Sequence, residues 1–112
     1  MEPRRLLEAL SVAERLKDTT RHCYTRNGRH ESVAEHSWMM TLMAFFMKDE
    51  FPDVDMDKVI KMCIIHDLGE AFTGDIPTFE KTEAHEATEE ELLFGWVKSL
   101  PENYAKEMLD SA

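Results

Sequence analysis

Apolar positions along this chain recur at the three- and four-residue steps of a helix, and no segment reads convincingly as a strand. Leu6, Leu7, Leu10, Ala13 and Leu16 form the first stripe. It ends at Lys17-Asp18-Thr19-Thr20, a set of poor helix formers. The second begins at Ser32, where Ser32-Val33-Ala34-Glu35 has the spacing of a capping box, with Glu35 placed to reach back to the Ser32 amide. Val33, His36, Met40, Met43 and Met47 then share one face, which puts His36 in the first turn and pointing inward. Phe51-Pro52-Asp53 closes the segment. A third helix after Asp55 sets Val59, Met62, Cys63 and His66 on one face, so His66 is predicted to point inward as well. Gly69 and Gly74 interrupt the pattern, and Ala71 to Pro77 reads as a turn-rich connection. A fourth helix runs from near Thr82 through the acidic stretch Glu83–Glu91 to Val97. Ser99-Leu100-Pro101-Glu102 starts a last one through Tyr104 and Leu109. The predicted fold is an all-α bundle, with the Met and Phe residues of 39–47 in its core and residues 21–30 in a loop.

Composition fits one modest domain: 112 residues, 43% of them hydrophobic, with four Gly and four Pro. Cys23 and Cys63 give no disulfide framework, and Cys63 lies in an apolar run where a free, buried thiol is expected. No segment reaches the roughly 18 apolar residues of a membrane span, and the N-terminus lacks the apolar stretch of a signal peptide. These features predict a cytoplasmic protein that does not engage a membrane. A net charge of −10 opposes binding to long nucleic acid through a general field. The charge is uneven, however. Arg21-His22-Cys23-Tyr24-Thr25-Arg26-Asn27-Gly28-Arg29-His30 holds three Arg, two His and no acid, whereas the acids concentrate after residue 49. This stretch is either a solvated loop paired with acids elsewhere or a local patch for a small anion.

The chemistry centres on the doublet His66-Asp67, which follows the apolar run Val59 to Ile65. Polar groups beside so much apolar surface need a partner. His36 and His66 on neighbouring helices, with Asp67 adjacent, form a nitrogen and oxygen donor set for a divalent transition metal: Mn, Fe, Co, Ni or Zn, with Mg less suited to imidazole. Three protein ligands leave positions open for an activated water and a substrate oxygen. The competing reading makes each histidine a satisfied core residue and Asp67 a cap. Glu70, three residues beyond Asp67, is placed to orient a water or shuttle its proton. Asp75 lies in a Gly-Asp turn, where a turn-forming role competes.

Glu31-Ser32-Val33-Ala34-Glu35-His36-Ser37, followed by Ile65-His66-Asp67-Leu68-Gly69-Glu70-Ala71-Phe72-Thr73-Gly74-Asp75-Ile76-Pro77, resembles the HD-domain superfamily, and within it the 5′-deoxynucleotidase branch. The resemblance implies an all-helical bundle around a divalent metal that hydrolyses nucleoside 5′-monophosphates, usually with a preference for deoxyribose. By that likeness His36, His66 and Asp67 are metal ligands and Glu70 handles the nucleophilic water. Asp75 is an acid close to the metal or the substrate. Arg21 matches an arginine placed near the substrate phosphate, which favours the anion-patch reading of the basic stretch. The family's fourth ligand, an Asp on a helix well downstream of the Gly-Asp segment, is not matched. Asp110 is the only late Asp, and Met108-Leu109-Asp110-Ser111-Ala112 does not resemble that helix. The expectation is thus a single HD domain over residues 1–112 that ends before the last ligand. Family members are commonly dimers, and the Met- and aromatic-rich composition suits a homodimer. The alternatives are a metal-binding helical module without catalysis, or another HD-type hydrolase acting on cyclic nucleotides or triphosphates.

Overall fold

Pro3 opens the first helix, α1 (Pro3–Ala13), where its fixed φ and missing N–H cost nothing. A computed structural model of the chain describes residues 2–73 and 83–111. After α1, a tighter turn over Glu14–Lys17 carries the buried Leu16. An antiparallel hairpin follows, β1 (Thr20–Tyr24) and β2 (His30–Ser32). Then come α2 (Val33–Met47), α3 (Met56–Ile65), α4 (Glu70–Thr73), α5 (Glu83–Lys98) and α6 (Glu102–Ser111). The longer helices lie where the periodicity puts them, whereas the one-turn α4 falls at the start of the segment read as a turn-rich connection; among the described residues the architecture is all-α apart from one small hairpin. No helix among the described residues is long and apolar enough to cross a membrane.

The hairpin corrects the reading of residues 21–30 as a loop. Its turn is built on Gly28, whose φ of +87° is open to glycine and strained for other residues. The Gly28 amide donates to the Thr25 carbonyl (2.9 Å), and the Thr25 amide donates to the Arg29 carbonyl (2.7 Å). Thr20 pairs with Ser32 and Tyr24 with His30, and the two rings of the latter pair sit 4.5 Å apart. The Val33 amide then donates to the Thr19 carbonyl (2.8 Å), so the hairpin leads directly into α2.

Two further expectations shift. The stripe assigned to α2 is out of phase: its buried residues are Val33, Ser37 and Ala44, while Met43 and Met47 are exposed. Small side chains on the inner face let α2 approach α3 closely, and the bulky Trp38, Met39, Phe45 and Phe46 turn outward, Phe46 with 71% of its surface accessible. Around α1, apolar packing is confined to the C-terminal end and the turn that follows it. Ala13 and Leu16 pack inward, whereas Leu6, Leu7 and Leu10 are exposed. The N-terminal end is tied down by Arg5, whose guanidinium donates to the Ser99 carbonyl (2.7 Å) between α5 and α6.

Leu16, Val33 and Leu68 form the central cluster, joined by Ile65, Ala71, Leu93, Trp96 and Met108. It therefore unites the turn after α1, the start of α2, the segment after α3 and the two C-terminal helices. Cys63 is buried and Cys23 exposed, both as free thiols.

Candidate metal centre

His36 is positioned by the start of α2. The Ser32 hydroxyl accepts from the Glu35 amide (3.1 Å), and the Glu35 carboxylate accepts from the Ser32 amide (2.9 Å), completing the expected capping box. Arg29 reaches back from the hairpin and grips the same carboxylate with two N–H groups, one of them at 2.8 Å. Those bonds, with the Ser32 amide and hydroxyl, hold the Glu35 carboxyl down at about 2. The Arg29 guanidinium is raised in turn by Glu35. His36 follows on this fixed turn with a quarter of its side chain accessible.

His66 is less inward than its helical phase implies. Asp55 caps α3 through its side chain, and the helix stops at Ile65. His66 occupies the residue beyond, its amide donating to the Met62 carbonyl (2.8 Å), and 38% of its side chain is exposed. Its ring is nevertheless fixed, because Nδ1 lies 3.1 Å from the Cys63 carbonyl oxygen. A carbonyl only accepts, so Nδ1 carries the hydrogen and Nε2 presents a lone pair. That nitrogen lies 3.0 Å from Asp67 Oδ2.

His36, His66 and Asp67 each bring one donor atom into a group whose members all lie within 4.8 Å of one another. Two ligands on opposite sides of a single transition-metal ion are roughly 4.2 Å apart, so the group spans little more than one ion requires. Two imidazoles and a carboxylate suit a divalent transition metal. In the neutral ring the lone pair of His66 Nε2 faces Asp67 Oδ2 at 3.0 Å, an arrangement that a shared cation relieves. The residues fit the ion that the sequence implies.

The other candidates lie around this group. Glu70 opens α4, its amide donating to the Asp67 carbonyl (3.0 Å), and the residue is buried, 8% exposed. Gly69, just before it, is required by a close approach: a Cβ there would lie 2.7 Å from Cγ of Glu89 on α5. Glu89 in turn accepts from the Thr73 hydroxyl (3.3 Å), so α5 clamps the segment that carries Asp67 and Glu70. Arg21, on β1, donates through Nη1 to Glu31 Oε1 at 2.8 Å, and the same oxygen lies 3.6 Å from His36 Nδ1. Arg21 is thus linked to the donor group through Glu31, a residue to which the sequence pattern assigns no role. Asp75 falls outside the described residues. Asp110 sits exposed on α6, outside the donor group.

A family model described as the HD domain matches residues 13–111. The chain belongs to the HD-domain family. Among curated HD-domain relatives, a 5′-deoxynucleotidase of Homo sapiens is 32% identical over 112 residues, covering 96% of this chain and 53% of that protein. A 5′-deoxynucleotidase of Saccharomyces cerevisiae is 28% identical over 116 residues, covering 96% of this chain and 48% of that protein. The chain therefore spans about half the length of the curated relatives it matches. A crystal structure of a protein described as a predicted metal-dependent phosphohydrolase from Magnetospirillum magnetotacticum superposes with a TM-score of 0.78. The two are 29% identical, and the match covers 96% of this chain and 57% of that one.

Proposed function

We propose that this HD domain carries the active site of a metal-dependent phosphohydrolase that removes the 5′-phosphate of (deoxy)nucleoside monophosphates. One observation carries the reading: His36, His66 and Asp67, from two separate segments, converge within 4.8 Å, with Arg21 tied to the group through Glu31. The names of the relatives supply the substrate class. His36 and His66 would hold the ion through imidazole nitrogen and Asp67 through a carboxylate oxygen. The chemistry that a bound divalent ion supplies is charge neutralisation at the phosphate and a lowered pKa for an attacking water. Arg21 aligns the phosphate through parallel N–H donors, which is geometry a lysine cannot reproduce. Glu70, buried beside Asp67, orients the attacking water and takes its proton. Asp75 enters as a substrate-proximal acid on the strength of its motif alone.

Inorganic phosphate release from a panel of nucleotides, with Mn2+ or Co2+, tests the reading. Deoxynucleoside 5′-monophosphates are expected to be the substrates. Release from triphosphates or cyclic nucleotides alone would make this a different HD-type hydrolase. Bound metal with no release from any nucleotide would make it a non-catalytic module, a reading favoured by the lack of a fourth ligand, a second carboxylate, in the donor group among the described residues.

The proposal extends to a cytoplasmic homodimer. Met39, Met43 and Phe46 recur at helical steps on α2, exposed together with Trp38, and soluble monomers rarely leave such a patch uncovered. Sedimentation velocity at micromolar concentration is expected to show a dimer that Phe46→Glu converts to monomer. A wild-type protein that sediments as a monomer at every concentration would refute it.

A further inference from the structure

We infer that Glu31 is a positioning residue, setting the ring of His36 and the guanidinium of Arg21 from a single carboxylate; this rests on the reading of His36 as a metal ligand. Oε1 of Glu31 accepts from Arg21 Nη1 at 2.8 Å and lies 3.6 Å from His36 Nδ1. All three side chains are about three-quarters buried, with 25% accessible for Glu31 and His36 and 27% for Arg21. Solvent therefore competes only weakly for the contact.

Local structure makes the contact rigid. Glu31 is the last strand residue before the Ser32 cap, and His36 lies one turn into α2. The capping box between them fixes their separation. Across the hairpin, Arg21 follows Thr20, the partner of Ser32, and although the register shifts between Thr20 and Tyr24 its guanidinium reaches the Glu31 carboxylate as an opposite charge on the neighbouring strand. A carboxylate beside Nδ1 favours the tautomer with hydrogen on that nitrogen, which leaves the lone pair of Nε2 to bind metal. His66 has a closer contact of this kind, its Nδ1 lying 3.1 Å from the Cys63 carbonyl oxygen against 3.6 Å between His36 Nδ1 and Glu31. Glu31 adds a second task, because the oxygen that faces the imidazole also aligns the guanidinium. The phosphate-binding group and a metal ligand are held in fixed relation by one atom.

Glu31→Ala and Glu31→Gln in the full chain test this. The 15N shifts of the His36 ring, read without metal, are expected to show the Nδ1–H tautomer in wild type. That tautomer should be lost in Glu31→Ala and retained in Glu31→Gln, whose amide oxygen still accepts. Mn2+ affinity, read from the free-ion EPR signal, is expected to fall about 10- to 100-fold in Glu31→Ala, the usual cost of removing an outer partner of a ligating histidine. Glu31→Gln should lie between wild type and Glu31→Ala. An unchanged tautomer in Glu31→Ala overturns the proposal. If Glu31→Ala does not fold, Mn2+ affinity equal to wild type in Glu31→Gln overturns it. Wild type that binds no Mn2+ removes the metal reading instead, and the tautomer in Glu31→Ala then decides the role of Glu31 on the ring by itself.

Discussion

Asp67→Asn is expected to lower phosphate release by at least about a hundredfold while leaving the metal-free protein as stable as wild type. Removing even an outer partner of a metal ligand costs roughly 10- to 100-fold in affinity or activity, so a direct ligand should cost no less. The substitution keeps the shape of the side chain and removes its charge. The stability half follows from the geometry of the doublet. With the His66 ring neutral and Nδ1 committed to the Cys63 carbonyl, Nε2 and Asp67 Oδ2 face each other as two acceptors at 3.0 Å. An asparagine amide can donate to that nitrogen and relieve the opposition, and catalytic groups are often held at such a cost to stability. Phosphate release, Mn2+ titration and a thermal melt of the metal-free protein check both halves. Equal turnover by variant and wild type would sink the assignment of Asp67. A large fall in melting temperature would recast it as a structural residue.

The helices and the donor group were legible in the sequence because each rests on local rules. The cap at Ser32, the start at Asp55 and the pair His66-Asp67 are short-range patterns, and the structure places them as the spacing indicates. What was not legible depends on partners. Periodicity names the apolar residues of α2, but it does not say that Ser37 and Ala44 would take the inner face and send Met43 and Phe46 outward. Packing against α3 chose the small side chains. The phase of α3 turns His66 inward only if it is extended one residue beyond the helix's end at Ile65. The hairpin escapes a reading by periodicity because its strands are short and polar, although Asn27-Gly28 is a turn signal. That turn signals a hairpin but not its register, because an irregularity in β1 between Thr20 and Tyr24 shifts the pairing, so the link from Arg21 through Glu31 to His36 is visible only in the fold. Gly69 looked like a helix breaker and is better explained by the close approach of Glu89.

The position of the donor group depends on Val33, and Val33→Ala is expected to destabilise the fold by about 2 kcal/mol, from two lost methyl-sized groups and the cavity left behind. Val33 is fully buried, at the first position of α2, against Leu16 and Leu68. The better helix propensity of Ala offsets only a few tenths of a kcal/mol at that position. For a chain of this size the loss corresponds to roughly 10 °C in melting temperature, and a shift too small to resolve in a thermal melt would show that the cluster is not the centre of stability. Leu68 directly follows Asp67, and His36 lies one turn beyond Val33. One small core therefore fixes the distance between the two halves of the donor group. Loosening it should weaken Mn2+ binding modestly, because the ligands remain and only their preorganisation suffers. Asp67→Asn should do the reverse, losing metal affinity without losing stability. Measuring melting temperature and Mn2+ affinity on both variants separates the residues that hold the site in place from those that form it. Parallel losses in both quantities for both variants would mean that the site and the core are one cooperative unit.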